Sequence, residues 1–201
     1  MKIKNLLKIQ IILLIPVTAL SLICVFIAIY IFQDRKPNEP PSALLNKDMP
    51  KFSIKSLHND NIYLSSDNLK KNVNLSSNEN AYSSSNNIKN KYTLINFFAS
   101  WCTPCKIEHP LFFILSEDFP NLFLLGINFK DKKDDAINYL KKDGNPYNFV
   151  GVDKAGKIGL EFGVIGLPET FIVSEDGKIL YKHLGPLNKK IIEDEIIPLL
   201  H

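Results

Sequence analysis

The stretch FFASWCTPCKIEHP, residues 97–110, decides how this chain is read. Its first residues end an apolar run, YTLINFFA (92–99), whose β-formers predict a buried strand. A helix is expected from near Thr103 through Glu117. Cys102 then stands at the helix head, where unpaired backbone N–H groups act like about half a positive charge. That field favours thiolate over thiol, and the thiolate is the form that attacks a disulfide. Cys105 lies one turn on, on the same side of the helix, near enough to close a disulfide with Cys102. Pro104 is tolerated near a helix start and stiffens the turn. Pro110, five residues past Cys105, falls where it would kink the axis. A plain structural disulfide and a metal site are the competing uses of such a pair.

Composition narrows the field. The 201 residues suffice for one ordinary domain with appendages. The net charge is +3, and Lys2, Lys4 and Lys8 account for all of it, leaving 21 basic against 21 acidic residues. A neutral body carries no electrostatic footprint for nucleic acid. Three cysteines, Cys24, Cys102 and Cys105, cannot build a disulfide-dense scaffold. A structural zinc site needs four ligands; there is no second C-x-x-C, and His58, His109, His183 and His201 occur singly. Neither a metal nor a cofactor is expected.

Residues 9–32, IQIILLIPVTALSLICVFIAIYIF, carry no charge. At ~1.5 Å per residue they reach about 36 Å, more than the ~30 Å of bilayer hydrocarbon. The apolar core of a cleaved secretory signal is about 7–15 residues long, and Gln33, Asp34 and Arg35 offer no small-residue cleavage site. The expectation is an uncleaved membrane anchor over 9–32. The lysines of residues 1–8 stay in the cytoplasm and everything after Phe32 lies outside, in the periplasm. Cys24 is read as a small apolar residue of the span. Residues 33–48, polar and proline-rich, form a tether.

The exported part, 49–201, alternates strands with helices. MPKFSIKSLHNDNIYL (49–64) suggests a hairpin turning at Asn59-Asp60-Asn61. Residues about 65–91 are crowded with Ser and Asn and nearly empty of large apolar side chains; they are expected to form a mobile surface insertion. LFLLGINF (122–129) and YNFVGVD (147–153) read as strands, and DKKDDAINYLKKDG (131–144) as a capped helix. A short helix in AGKIGLEFG, a hairpin in ETFIVSEDGKILYKHLG and an amphipathic closing helix in NKKIIEDEIIPLL complete the chain. The predicted class is α/β, a central mixed sheet flanked by helices, behind one N-terminal transmembrane helix.

W-C-x-x-C at a strand-to-helix junction, with a proline five residues later, resembles thioredoxin. The segment IGLEFGVIGLPETFIVSEDGKILYKHLG (158–185) is similar to the one thioredoxins place opposite their cysteines, with Pro168 in the position of the cis proline. The anchor, NFFASWCTPCKIEHP, GINFKD, DGNPY and GVIGLPETF together resemble, in order, the membrane-tethered thioredoxin-like proteins of cytochrome c maturation, the CcmG/DsbE family. The insertion at 65–91 departs from that family's pattern.

The resemblance implies a disulfide reductase with Cys102 as nucleophile and Cys105 as resolving cysteine. Asn96 takes the place of the buried aspartate of thioredoxin. Glu108 and Glu169, by the same resemblance, are the acids that stand in for it. Glu108 lies three residues from Cys105 on one helix face, where a carboxylate would raise the inner thiol's pKa and shuttle its proton; a solvated surface carboxylate is the alternative for either acid. His109 is read as a packing residue, and Trp101 as a cover over the cysteines and a contact surface. The implied partners are apocytochrome c, or a cytochrome c maturation protein holding it, and a membrane thiol transporter as electron donor. Two other readings stay open: a general extracytoplasmic reductase, and a copper carrier with His183 as distant ligand.

Overall fold

The computed structural model describes residues 15–29, 44–70 and 91–200. The described chain falls into two units, a helix over 15–29 and a domain from 44 onward. Among the described residues no helix is long and apolar enough to cross a membrane. The helix over 15–29 takes up the middle of the apolar stretch 9–32. The remainder of that stretch, residues 1–8, most of the expected tether and residues 71–90 of the Ser/Asn-rich stretch lie outside the described residues.

The domain is built on a thioredoxin-like mixed sheet of seven strands: β1 (Ser53–Ser56), β2 (Tyr63–Ser65), β3 (Tyr92–Phe98), β4 (Leu122–Phe129), β5 (Phe149–Asp153), β6 (Glu169–Ser174) and β7 (Ile179–Leu184). Their spatial order is β2-β1-β5-β4-β3-β6-β7. The expected hairpin exists as the antiparallel β1–β2 pair, with Ile54 opposite Leu64. Helices α1 (Thr103–Asp118), α2 (Lys133–Asp143) and α3 (Lys157–Glu161) connect the strands.

β3 is central and buried on both faces, which is why its sequence runs apolar without alternating. Its side chains still point alternately to the two sides. Leu94 and Phe98 join a core with Phe112 and Leu115 of α1. Ile95 and Phe97 join the other core, with Phe162 and Phe171. Asn96 shares the α1 side with its neighbours two residues away, so a polar amide sits inside the sheet beneath that helix.

Three boundaries differ from the sequence reading. Residues 46–49, assigned by composition to the tether and the domain's first residues, pair with the last hairpin: Asn46 N–H donates to the Ile179 carbonyl and Met49 N–H to that of Gly177. Ser65 caps a 3-10 helix, Ser66–Leu69, with a reciprocal bond from Asn68, and Leu69 is buried; a local cap and one apolar anchor order residues that composition alone grouped with the Ser/Asn-rich stretch. The closing helix consists of Lys189–Ile191, a π-helical stretch Ile192–Ile196 and Ile197–Leu200. Pro198 has no N–H to give the carbonyl four residues back, and Ile197 N–H instead reaches Ile192, five residues back.

Candidate active site

β3 delivers the chain to the head of α1 through one tight turn, in which Cys102 N–H donates to the Ala99 carbonyl (3.1 Å). Cys102 is the N-cap of α1: its backbone is extended (φ −84°, ψ 104°) and its sulfur accepts the Cys105 N–H at 3.2 Å. A sulfur that already receives a helix-head amide is better stabilised as thiolate than as thiol. The two cysteines are joined as a disulfide, with their Cα atoms 5.3 Å apart. Both are nearly covered, at 3% and 2% exposure. Pro104 occupies the first turn, where its missing N–H leaves no bond unmade. Pro110 lies inside α1, as expected.

The loop before the cysteines is tied down by a residue that the sequence reading did not single out. Asp131, just past β4, accepts the Ser100 amide (2.6 Å) and hydroxyl (2.9 Å), the Asn128 side-chain amide (2.9 Å) and the Lys132 amide (2.8 Å). One carboxylate thereby fixes Ser100, two residues before the nucleophile. Trp101 is 60% exposed, and its indole N–H donates to the Lys130 carbonyl at 3.3 Å. It offers an open aromatic face beside the disulfide.

Beneath α1 lies a closed polar network. Glu108 has no solvent exposure. Its Oε1 accepts the Asn96 amide (2.9 Å) and its Oε2 accepts the Leu187 backbone N–H (2.7 Å). Asn96 also donates to Thr170 Oγ1 (3.1 Å), and the Tyr147 hydroxyl donates to Asn96 Oδ1 (2.9 Å). Burial outweighs these bonds and pushes Glu108 up to about 7. Tyr147 is also held well above the ordinary tyrosine range by its burial. Gly126 makes room for the Tyr147 ring: a Cβ there would stand 2.9 Å from it and 3.0 Å from Phe98.

The Leu167–Pro168 peptide is cis. Pro168 immediately precedes β6, whose Glu169 is in register with Phe97 near the end of β3 from which the cysteine turn departs. The proline and the disulfide thus stand at one end of adjacent strands, and Leu167 packs against the cluster that contains both cysteines.

The two acids that sequence reasoning grouped together are separated by the sheet. Thr170 points toward Asn96 and Glu108, so Glu169, its neighbour in the strand, points to the other side. There its Oε1 accepts the Ile165 N–H (3.0 Å) and its Oε2 lies 3.3 Å from the Lys182 ammonium. Burial raises its pKa against the pull of those partners. His109 is packed, its ring 5.0 Å from Tyr139 and 5.6 Å from Phe113, with Nε2 3.0 Å from the Gly144 carbonyl. Burial holds it below the usual histidine range. His183 lies on β7 with Nδ1 3.4 Å from the Tyr181 hydroxyl. Among the described residues no group of three or more His, Cys, Asp or Glu is placed to hold a metal ion.

Asp131, Tyr147, Thr170 and Lys182 are the site residues that sequence reasoning missed. The first three lie in the GINFKD, DGNPY and GVIGLPETF motifs, which were visible as pattern but had no contact to explain them.

Comparison with known proteins places this geometry. The redoxin family model matches residues 45–196. The thiol:disulfide interchange protein HelX of Rhodobacter capsulatus is 34% identical over 171 residues, 85% of this chain and 85% of that protein. The thiol:disulfide interchange protein DsbE of Escherichia coli is 36% identical over 163 residues, 81% of this chain and 77% of that one. Among solved structures, a putative thiol:disulfide interchange protein DsbE from Chlorobium tepidum superposes with a TM-score of 0.60 at 20% identity, covering 78% of this chain and 98% of that one.

Proposed function

The chain belongs to the redoxin family, as a thiol:disulfide oxidoreductase of the DsbE type, and from that premise we propose that it is a membrane-anchored, periplasmic reductant of c-type cytochrome maturation. The observation that carries the reading is the Cys102–Cys105 disulfide at a helix head, at the same end of the sheet as the cis Leu167–Pro168 peptide. The run of family motifs from NFFASWCTPCKIEHP to GVIGLPETF supports the client: apocytochrome c, whose C-x-x-C-H thiols must be reduced before haem attachment, or a maturation protein that holds it. The uncharged stretch 9–32 supports the anchor, and Lys2, Lys4 and Lys8 support a cytoplasmic N-terminus.

Starting from the dithiol, the Cys102 thiolate attacks one sulfur of the substrate disulfide. A Cys102–substrate bond forms, the substrate S–S bond breaks, and its second sulfur leaves as thiolate. Cys105 gives its proton to Glu108 and attacks Cys102; the mixed disulfide breaks and the second substrate thiolate is released. Two electrons pass to the substrate and the protein is left as the disulfide seen here. A membrane thiol transporter returns two electrons to restore the dithiol. The backbone at Leu167–Pro168 pairs with the substrate strand, as exposed edges do with extended peptides.

The test is the Cys105→Ser variant, which keeps the attacking sulfur and lacks the resolving one. It is expected to accumulate a mixed disulfide with a protein carrying a haem-site cysteine pair, and Cys102→Ser to accumulate none. Capture of cell-wall or other exported proteins instead would replace this reading with that of a general extracytoplasmic reductase.

A further inference from the structure

We propose that Lys182 is a positioning residue for substrate: paired with Glu169, it clamps the segment 163–169 so that the Leu167–Pro168 edge is presented in one conformation. The inference rests on the disulfide-reductase reading above, and on that edge being where substrate pairs.

Lys182 stands on β7 directly opposite Phe171 of β6, and its ammonium lies over the Phe171 ring, 5.3 Å from the centroid. From there it makes two polar contacts. It donates to the Gly163 carbonyl at 3.0 Å and lies 3.3 Å from Glu169 Oε2. Glu169 in turn holds the Ile165 N–H through Oε1. Gly163, with φ +62°, is where the chain leaves α3 in a left-handed conformation, and Glu169 is where it enters β6. One ion pair therefore grips the first, third and last residues of the seven-residue segment that carries the cis peptide. No helix or strand spans residues 163–168. Apart from the ion pair, backbone bonds hold the two ends of this stretch, Val164 N–H to the Gly159 carbonyl (2.8 Å) and Gly185 N–H to the Pro168 carbonyl (2.9 Å), and the ion pair ties the residues between them.

The arrangement is consistent in its charges. A fully buried carboxylate without a counter-charge is costly, and Lys182, mostly buried itself, is the cation that Glu169 faces. Without Lys182 the Gly163 carbonyl loses its donor and the carboxylate its partner. The segment then samples conformations that must be frozen out when substrate binds. That loss falls on binding in ground state and transition state alike, which raises KM and leaves kcat. It does not fall on the sulfur chemistry, since the pair lies on the sheet face away from Glu108.

The test is single-turnover reduction of two synthetic peptide disulfides by the pre-reduced full chain, followed by fluorescence of Trp101, its single tryptophan. One peptide carries C-x-x-C-H; the other has the same cysteine spacing without the histidine. Lys182→Met is expected to raise the half-saturating concentration of both about tenfold, with the limiting rate changed less than about threefold. Lys182→Arg keeps charge and reach and is expected to return half-saturation to within about threefold of wild type. Should Lys182→Met fail to fold, Glu169→Gln cuts the same pair and is expected to weaken half-saturation at least about threefold. The clamp is overturned if half-saturation stays within about twofold, if the limiting rate falls instead, or if the Arg variant is as weak as the Met variant. Equal handling of the two peptides by wild type would count against the cytochrome client while leaving the clamp standing.

Discussion

Replacing Glu108 by Gln tests whether the network beneath α1 stores a proton. In the fold this carboxyl is shifted from 4.5 to about 7, chiefly by burial. At about 1.4 kcal/mol per pKa unit, the shift corresponds to roughly 3 kcal/mol of stability linked to one proton. The sign follows from which state holds the proton. Between pH ~4.5 and ~7 the folded chain keeps a proton that the unfolded chain has released, so stability falls as pH rises through that window. The Glu108→Gln variant would carry no such dependence. It has its own cost of about 1–3 kcal/mol, because in either orientation the new NH₂ group meets one of the two donors, the Asn96 amide or the Leu187 N–H, that the two oxygens of Glu108 accept. That cost is nearly constant with pH, so the slope and not the level is the readout. His109, whose pKa is lowered, contributes a slope of opposite sign, which cancels when variant and wild type are compared. Urea unfolding of the oxidised protein at intervals from pH 4.5 to 8 gives the comparison. The expected result is that wild type loses about 3 kcal/mol more than Glu108→Gln over the window. Parallel curves would refute the argument that Glu108 titrates near neutrality, and with it the transfer of Cys105's proton to this group.

Other consequences are as direct. Tyr147→Phe leaves Asn96 Oδ1 without its hydroxyl donor and is expected to cost about 1–3 kcal/mol in urea unfolding, with the stacked ring against Phe98 retained. Gly126→Ala forces the Tyr147 ring off β4; a loss of about 1–3 kcal/mol is expected, and in the Gly126→Ala, Tyr147→Ala double variant the Gly126 change should cost much less, since the ring it strikes is gone. Asp131→Ala frees the amide and hydroxyl of Ser100, and stopped-flow reduction of a peptide disulfide should slow because the turn that aims Cys102 loses its anchor. Equilibration with glutathione should place the reduction potential nearer the ~−270 mV of thioredoxin than the ~−120 mV of a strong oxidant such as DsbA; a value near the latter would reverse the proposed electron flow.

Much of the design was legible in one dimension because it depends on neighbours along the chain. A strand followed at once by a helix with cysteines three apart must place the first sulfur at the helix head and the second one turn inside, and Cys102 and Cys105 are found there. Period and caps marked the helices to within a few residues. Asn96 was marked only by the resemblance, as the residue in the place of thioredoxin's buried aspartate. What depended on distant residues stayed hidden. Leu187 is far from Glu108 in sequence, and only the closed fold brings its N–H to that carboxylate. Tyr147 turns back across Gly126, and Asp131 crosses from the end of β4 to hold Ser100. Glu108 and Glu169 have the same chemistry, and in sequence both sit close to the motifs of the site. Strand alternation at Thr170 puts one beneath the cysteine helix and the other beneath Lys182, because successive side chains of a strand leave it in opposite directions.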